Sequence, residues 1–149
     1  MADAKGAVPR LSDQLCFAVY STAHALNRIY KPLLAALGLT YPQYLVMMVL
    51  WQQDGLAVKE IGELLHLDSG TLTPLLKRLE AAGHVRRERD PADERQVRIR
   101  LTTTGLALQD QARSVPQDLL CATGRTVDQV QGLRDDLARL RDQLNVVAA

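Results

Sequence analysis

Two residues of this chain carry reactivity of their own: Cys16, in the stretch SDQLCFAVY (12–20), and Cys121, far along the chain. A thiolate is a nucleophile and can be oxidised reversibly. A free cysteine serves equally well as a small buried apolar residue, so the thiols by themselves leave both readings open. Tyr20 follows Cys16 by four residues, which on a helix places it one turn away as a neighbour. Two cysteines so widely spaced are not a secreted disulfide scaffold, and they fit a reducing cytoplasm. His24, His66 and His84 have no metal-ligand spacing, so neither a metal nor a cofactor is expected.

A second group of residues points to nucleic acid. From Lys77 to Arg100 there are eight basic and five acidic residues, in a chain whose net charge is only +1. A charge run alone is usually a solvated face. Here it sits in a particular setting, a capped helix stopped by a glycine and followed by a basic hairpin. Ser69, Gly70, Thr71 and Thr73 open that helix with small and hydroxyl-bearing side chains able to reach bases or phosphates. Lys77 and Arg78 follow as phosphate contacts. Arg95 stands at the tip of the hairpin, where it would enter a minor groove, and Asp93 could orient its guanidinium fork.

The elements that must position these groups are legible from periodicity. Leu15, Val19, Ala23, Leu26 and Ile29 recur at steps of three and four, a helical signature over residues 12–30; Pro32 bends or restarts that helix and Gly38 ends it. TYPQYLVMMVLW (40–51) opens a second helix, with Thr40 or Tyr41 as cap and Pro42 in its first turn. After the turn at Asp54–Gly55 comes VKEIGELLHL (58–67). Asp68 then caps SGTLTPLLKRLEAAG, with Pro74 tolerated near its first turn and Gly83 as the stop. HVRRERD (84–90) and QVRIRL (96–101) read as strands around a PADER turn, with Val97, Ile99 and Leu101 alternating with Arg98 and Arg100. A fifth helix starts near Thr102 and runs to about residue 120. TVDQ (126–129) is a capping box for a last helix striped with Val130, Leu133, Leu137, Leu140 and Leu144. The fold class is mainly α, a winged helix-turn-helix with N- and C-terminal helices as a dimerisation domain.

The run LDSGTLTPLLKRLEAAGHV, with DERQVRIRLTTTG after it, resembles the DNA-binding lobe of the MarR family, whose wing carries the DxR pattern of Asp93, Glu94 and Arg95. With LCFAVY and TYPQYLVMMVLW added, the similarity is to the organic hydroperoxide resistance regulators (the OhrR branch) and covers roughly residues 11–145. The resemblance implies a flexible N terminus over 1–10 and a single domain over 11–149. Within it, dimerisation helices lie at about 11–37 and 102–147 and the DNA-binding lobe at about 40–101. It implies that Cys16 is the peroxide-reactive thiol, that Tyr30 and Tyr41 bond to it, and that the chain is of the two-cysteine type, in which Cys121 resolves the oxidised thiol as a disulfide between subunits. Attack on a peroxide oxygen gives a sulfenic acid. The apolar residues Leu15, Phe17, Val19 and Met47 favour an organic hydroperoxide as oxidant.

The implied function is a cytoplasmic homodimeric repressor that binds a pseudo-palindromic double-stranded operator when reduced and leaves it when oxidised. Two recognition helices need half-sites about 34 Å apart, hence a dimer. Three other readings stand beside it: a repressor sensing a phenolic ligand, a thiol peroxidase with Cys16 as catalyst, and a structural protein with inert cysteines. The basic wing speaks against the enzyme. The longest apolar run, LVMMVLW (45–51), is far too short to span a bilayer, and MADAKGAVPR has no apolar core of a signal peptide.

Overall fold

The computed structural model describes Gly6 and residues 8–149. Most of the flexible segment expected at 1–10 (residues 1–5 and 7) therefore lies outside the described residues. After a single 3-10 turn at Leu11–Asp13, seven helices and three strands follow: α1 (Leu15–Ala35), α2 (Tyr41–Gln52), β1 (Leu56–Ala57), α3 (Val58–Leu65), α4 (Ser69–Ala81), β2 (Val85–Arg89), β3 (Val97–Leu101), α5 (Thr103–Gln111), α6 (Val115–Thr123) and α7 (Val127–Ala148). The strands form one antiparallel sheet in the order β1-β3-β2. No described helix is long and apolar enough to cross a membrane.

Side chains that satisfy the orphan N–H groups of the first turn set the helix starts. Thr40 and Gln43 form a reciprocal capping box on α2, and Thr126 and Gln129 do the same on α7. Asp68 Oδ1 accepts from the Thr71 N–H at 2.7 Å. Two boundaries differ from the sequence reading. α1 runs through Pro32 to Ala35 without restarting, since losing one N–H donor does not outweigh the packing of Leu33 and Leu34. The helix expected from Thr102 to about 120 is two helices, parted at residues 112–114 just before Pro116. Pro74 falls at the start of the second turn of α4, close to the first as expected. The sequence reading also treated the strands as a two-stranded hairpin. Leu56 and Ala57 add a third strand by pairing with Ile99 and Arg98.

The core surrounds α2, whose Val46, Met47 and Leu50 are fully buried against Leu34 of α1, Ile61 of α3, Leu72, Leu76 and Leu79 of α4, and Ile99 of β3. Burying side chains of this size stabilises by about 1.5–3 kcal/mol each. The apolar stripes of α1 and α7 are a different matter. Leu15, Val19, Ile29, Leu133, Leu137 and Leu144 all remain exposed in the single chain, which leaves a large apolar surface on those two helices.

The base of the wing is fixed by close backbone contact. Thr102 donates its N–H to the His84 carbonyl (3.1 Å) and its hydroxyl to the Gly83 carbonyl (2.6 Å). Its Oγ1 also accepts from the Gly105 N–H, capping α5. Gly105 lies so close to the His84 carbonyl that a Cβ there would collide with the oxygen. Because both surfaces are backbone, no rotamer change relieves the contact. Gly105→Ala is therefore expected to cost about 1–3 kcal/mol. Urea unfolding followed by circular dichroism checks this; a midpoint equal to wild type would show that the joint can open freely.

Candidate functional site

The α4 helix exposes one face and buries the other. Leu72, Leu75, Leu76 and Leu79 hold it against the core, which turns Gly70, Thr71, Lys77 and Arg78 outward together. Ser69 and Thr73 instead line a groove of about 800 Å³ between α3, α4 and the wing, shared with Lys59, His66, Arg95 and Val97. The Asp68 carboxyl is held below its ordinary range by the Thr71 N–H and side chain, so it is an anion fixed at the start of the helix. His66 closes α3 in a left-handed conformation (φ 55°), one that non-glycine residues adopt rarely and histidine more readily than most.

The wing's charge is mostly neutralised within the chain. Glu88 takes Arg86 at 2.6 Å and Arg100 at 2.9 Å, Asp90 takes Arg98 at 2.7 Å, and Glu80 of α4 takes Arg87 at 3.1 Å. Arg86 reaches Glu88 along the same face of β2, and the register explains the Arg100 pairing. Glu88 stands opposite Arg98 and diagonal to Arg100, within reach of a long side chain. Each carboxyl lies below the usual range: Glu80 chiefly through the Arg87 backbone N–H, Glu88 through the Arg86 side chain, and Asp90 through the Ala92 N–H followed by Arg98. Arg98 also donates to the Gly55 carbonyl at 2.9 Å, pinning the hairpin to the turn before β1.

Four cations of this region, Lys77, Arg78, Arg89 and Arg95, carry no ion pair among the described residues, and all are exposed; Arg89 donates instead to the Glu94 carbonyl at 3.0 Å. Asp93 acts on Arg95 differently from the expectation. Its carboxylate accepts from the Arg95 backbone N–H at 3.1 Å, closing the turn, while the guanidinium is left unpaired. The sequence reading counted these arginines as one basic face. It could not separate paired from unpaired, because pairing depends on cross-strand register.

The thiol residues are spread out rather than gathered. Cys16 and Cys121 are both free and exposed, and Gln117 Nε2 lies 3.7 Å from the Cys121 sulfur. Tyr20 packs its ring on His24, with centroids 4.4 Å apart. Tyr30 and Tyr41 do come together, with ring centroids at 4.6 Å. Tyr30 stands fourteen residues beyond Cys16 on α1, about 21 Å along the axis at the helical rise, and Tyr41 packs on it from the start of α2. Within one chain, then, the cysteine and the tyrosine pair do not meet.

A third ring, missed by the sequence reading, completes the tyrosine cluster. Tyr44 of α2 is buried with its centroid 6.1 Å from Tyr30. Its signal in the sequence was its position, one helical turn after Thr40 and on the core face of α2. Burial, and then the neighbouring Tyr41 and Tyr44, push the Tyr30 phenol up to about 12, and burial raises Tyr41 and Tyr44 as well. These phenols thus keep their protons at neutral pH and are hydrogen-bond donors. None has a hydrogen-bond partner among the described residues.

Comparison with known proteins agrees with this architecture. A family model described as the transcriptional regulator SarA/Rot matches residues 28–112. The HTH-type transcriptional regulator TtmR of Methylorubrum extorquens is 58% identical over 138 residues, 93% of this chain and 71% of that protein. The organic hydroperoxide resistance transcriptional regulator of Bacillus subtilis is 42% identical over 136 residues, 91% of this chain and 92% of its own. Among solved structures, reduced AbfR bound to DNA, a Staphylococcus epidermidis protein, matches with a TM-score of 0.76 at 36% identity, covering 91% of this chain and 94% of that one. The disulfide form of AbfR, at the same identity and with 91% and 92% covered, gives 0.63. With its winged lobe and this similarity along nearly its whole length, the chain belongs to the MarR family of transcriptional regulators, on the branch of the organic hydroperoxide resistance regulators.

Proposed function

We propose that the chain is a redox-sensing repressor that acts as a homodimer, holding operator DNA when Cys16 is reduced and releasing it after oxidation by an organic hydroperoxide. The observation that carries this reading is the separation along α1. Cys16 sits exposed near one end, while Tyr30 stands about 21 Å along the helix with Tyr41 of α2 packed on it, both protonated and with unused hydroxyls. Two copies packed antiparallel through the exposed stripes of α1 and α7 would bring each cysteine to the tyrosines of its partner. Hydroxyl donors in such a place favour the thiolate over the thiol. Tyr20, one turn from Cys16, is the neighbouring ring on the same copy.

The chemistry balances with the two thiols of the chain. The Cys16 thiolate attacks a peroxide oxygen, the O–O bond breaks, and the alkoxide leaves with a proton as an alcohol. The resulting sulfenic acid meets the Cys121 thiol of the other copy; an S–S bond forms and water departs. The peroxide is reduced by two electrons, one from each sulfur. A useful switch loses about a thousandfold in DNA affinity, roughly 4 kcal/mol. This chain lies nearer in shape to the reduced, DNA-bound form of AbfR than to its disulfide form, which supports a DNA-competent reading of the present geometry. The relatives are named as transcriptional regulators, which favours a regulator over a thiol peroxidase.

On DNA, the start of α4 would enter the major groove, with Gly70 and Thr71 of its outward face and Ser69 and Thr73 at the edge of the adjoining groove nearest the bases, and Lys77 and Arg78 on phosphates. Arg95, unpaired at the wing tip, would follow the adjacent minor groove, its turn held by Asp93.

Two experiments test these roles. After one equivalent of an organic hydroperoxide, a non-reducing denaturing gel should show a disulfide dimer for wild type and none for Cys16→Ser or Cys121→Ser. A wild type that consumes no oxidant would remove the redox reading and leave a ligand-sensing repressor in its place. For the wing, Arg95→Ala should lower operator affinity about tenfold and reduce the salt dependence by about one phosphate contact. Arg98→Ala, which breaks the Asp90 and Gly55 contacts, should instead lower the melting temperature. An unchanged salt slope in Arg95→Ala would take Arg95 off the DNA.

A further inference from the structure

The redox reading leaves open how a change at Cys121 reaches the wing. Cys121 lies on α6, which packs on α1 and is joined to α5 by residues 112–114 alone, so a displacement of α6 reaches α5 through that short link. The first turn of α5 is the backbone joint described above, where Thr102 and Gly105 lock onto Gly83 and His84 at the base of β2. One side chain from outside also enters this joint. Trp51, in the last turn of α2, donates its indole N–H to the Gly105 carbonyl at 3.0 Å. Among the described residues it is the one hydrogen bond joining α2 to α5.

Trp51 also continues the tyrosine cluster. Its ring lies 6.3 Å from Tyr44 in an edge-on arrangement, Tyr44 lies 6.1 Å from Tyr30, and Tyr30 lies 4.6 Å from Tyr41. Four aromatic rings therefore run from the end of α1 along α2 to the hinge of the wing. The ring packing fixes where the indole stands, and the N–H fixes the wing base to it. An interior of this density passes displacement on rather than absorbing it.

We propose that Trp51 is a positioning residue of the switch: its bond to the Gly105 carbonyl holds the wing base to α2 in the DNA-competent arrangement, and oxidation releases DNA by breaking that bond through α6 and α5. This rests on the Cys16–Cys121 reading above. The aromatic row gives the bond a second input, since occupation of the Tyr30 and Tyr41 hydroxyls by the Cys16 thiolate sits at its far end.

The test uses the full-length protein and a hydroperoxide. Trp51→Phe keeps an aromatic ring at this position and removes the donor. It should still form the disulfide dimer, but its reduced form should already bind operator weakly, so that the ratio of reduced to oxidised affinity falls from about a thousandfold to about tenfold or less. The same ratio as wild type overturns the proposal. Trp51 is the sole tryptophan, so wild type supplies a second measurement that needs no variant. Its emission should shift as the disulfide forms, in step with loss of DNA. Emission unchanged through complete DNA release would overturn the proposal while leaving the redox reading intact. Failure of wild type to form the disulfide would overturn the redox reading, and the proposal with it.

Discussion

The contact between the Cα of Gly105 and the carbonyl of His84 is the constraint on which the two parts of this molecule depend. It brings the start of α5 against the turn between α4 and β2, and only a residue without a side chain fits there. Thr102 adds two bonds to the same turn, and Trp51 adds a third connection from α2. The recognition helix and the wing on one side, and the helices carrying Cys121 on the other, share these few backbone atoms. Motion of one part therefore has a defined place to reach the other.

Around that joint, electrostatics sort the wing into a scaffold and a probe. Four of its arginines are held by Glu80, Glu88 and Asp90, and one of these, Arg98, also reaches the turn before β1. Exposed pairs of this kind contribute little to stability individually. Their effect is geometric: they keep the hairpin in register and spare its carboxylates from repelling phosphate. Lys77, Arg78, Arg89 and Arg95 are left without an ion pair, and on the proposed reading they are the cations available to a polyanion. This sorting fits a net charge of only +1, since specific binding needs a few placed cations more than a large total.

The thiol chemistry follows another logic, that of incompleteness. One chain holds a cysteine without its hydroxyl donors at one end of α1 and hydroxyls without an acceptor at the other. It also exposes the apolar stripes that would bring a second copy into place. On the redox reading proposed above, such a site would be complete only in an assembly, which would tie sensing to the dimer that DNA recognition also requires.

Much of this was written in the sequence. Helix periodicity, the caps at Thr40, Asp68, Thr102 and Thr126, and the alternation of Val97, Ile99 and Leu101 are local, within a turn or a pleat, so the residues themselves declare them. The family motifs added the likeness of the wing and of the Cys16 helix. What the sequence left undecided were relations between distant residues: β1 joining β3, the break between α5 and α6, Glu88 and Asp90 taking the arginines, Tyr44 joining Tyr30, and Trp51 reaching Gly105. These depend on strand register and helix packing, which bring residues up to 54 positions apart within hydrogen-bond range. The separation of Cys16 from Tyr30 lies between the two. Its size follows from the helical rise over residues 12–30, which the periodicity already declares, whereas only the packed structure brings Tyr41 of α2 against Tyr30.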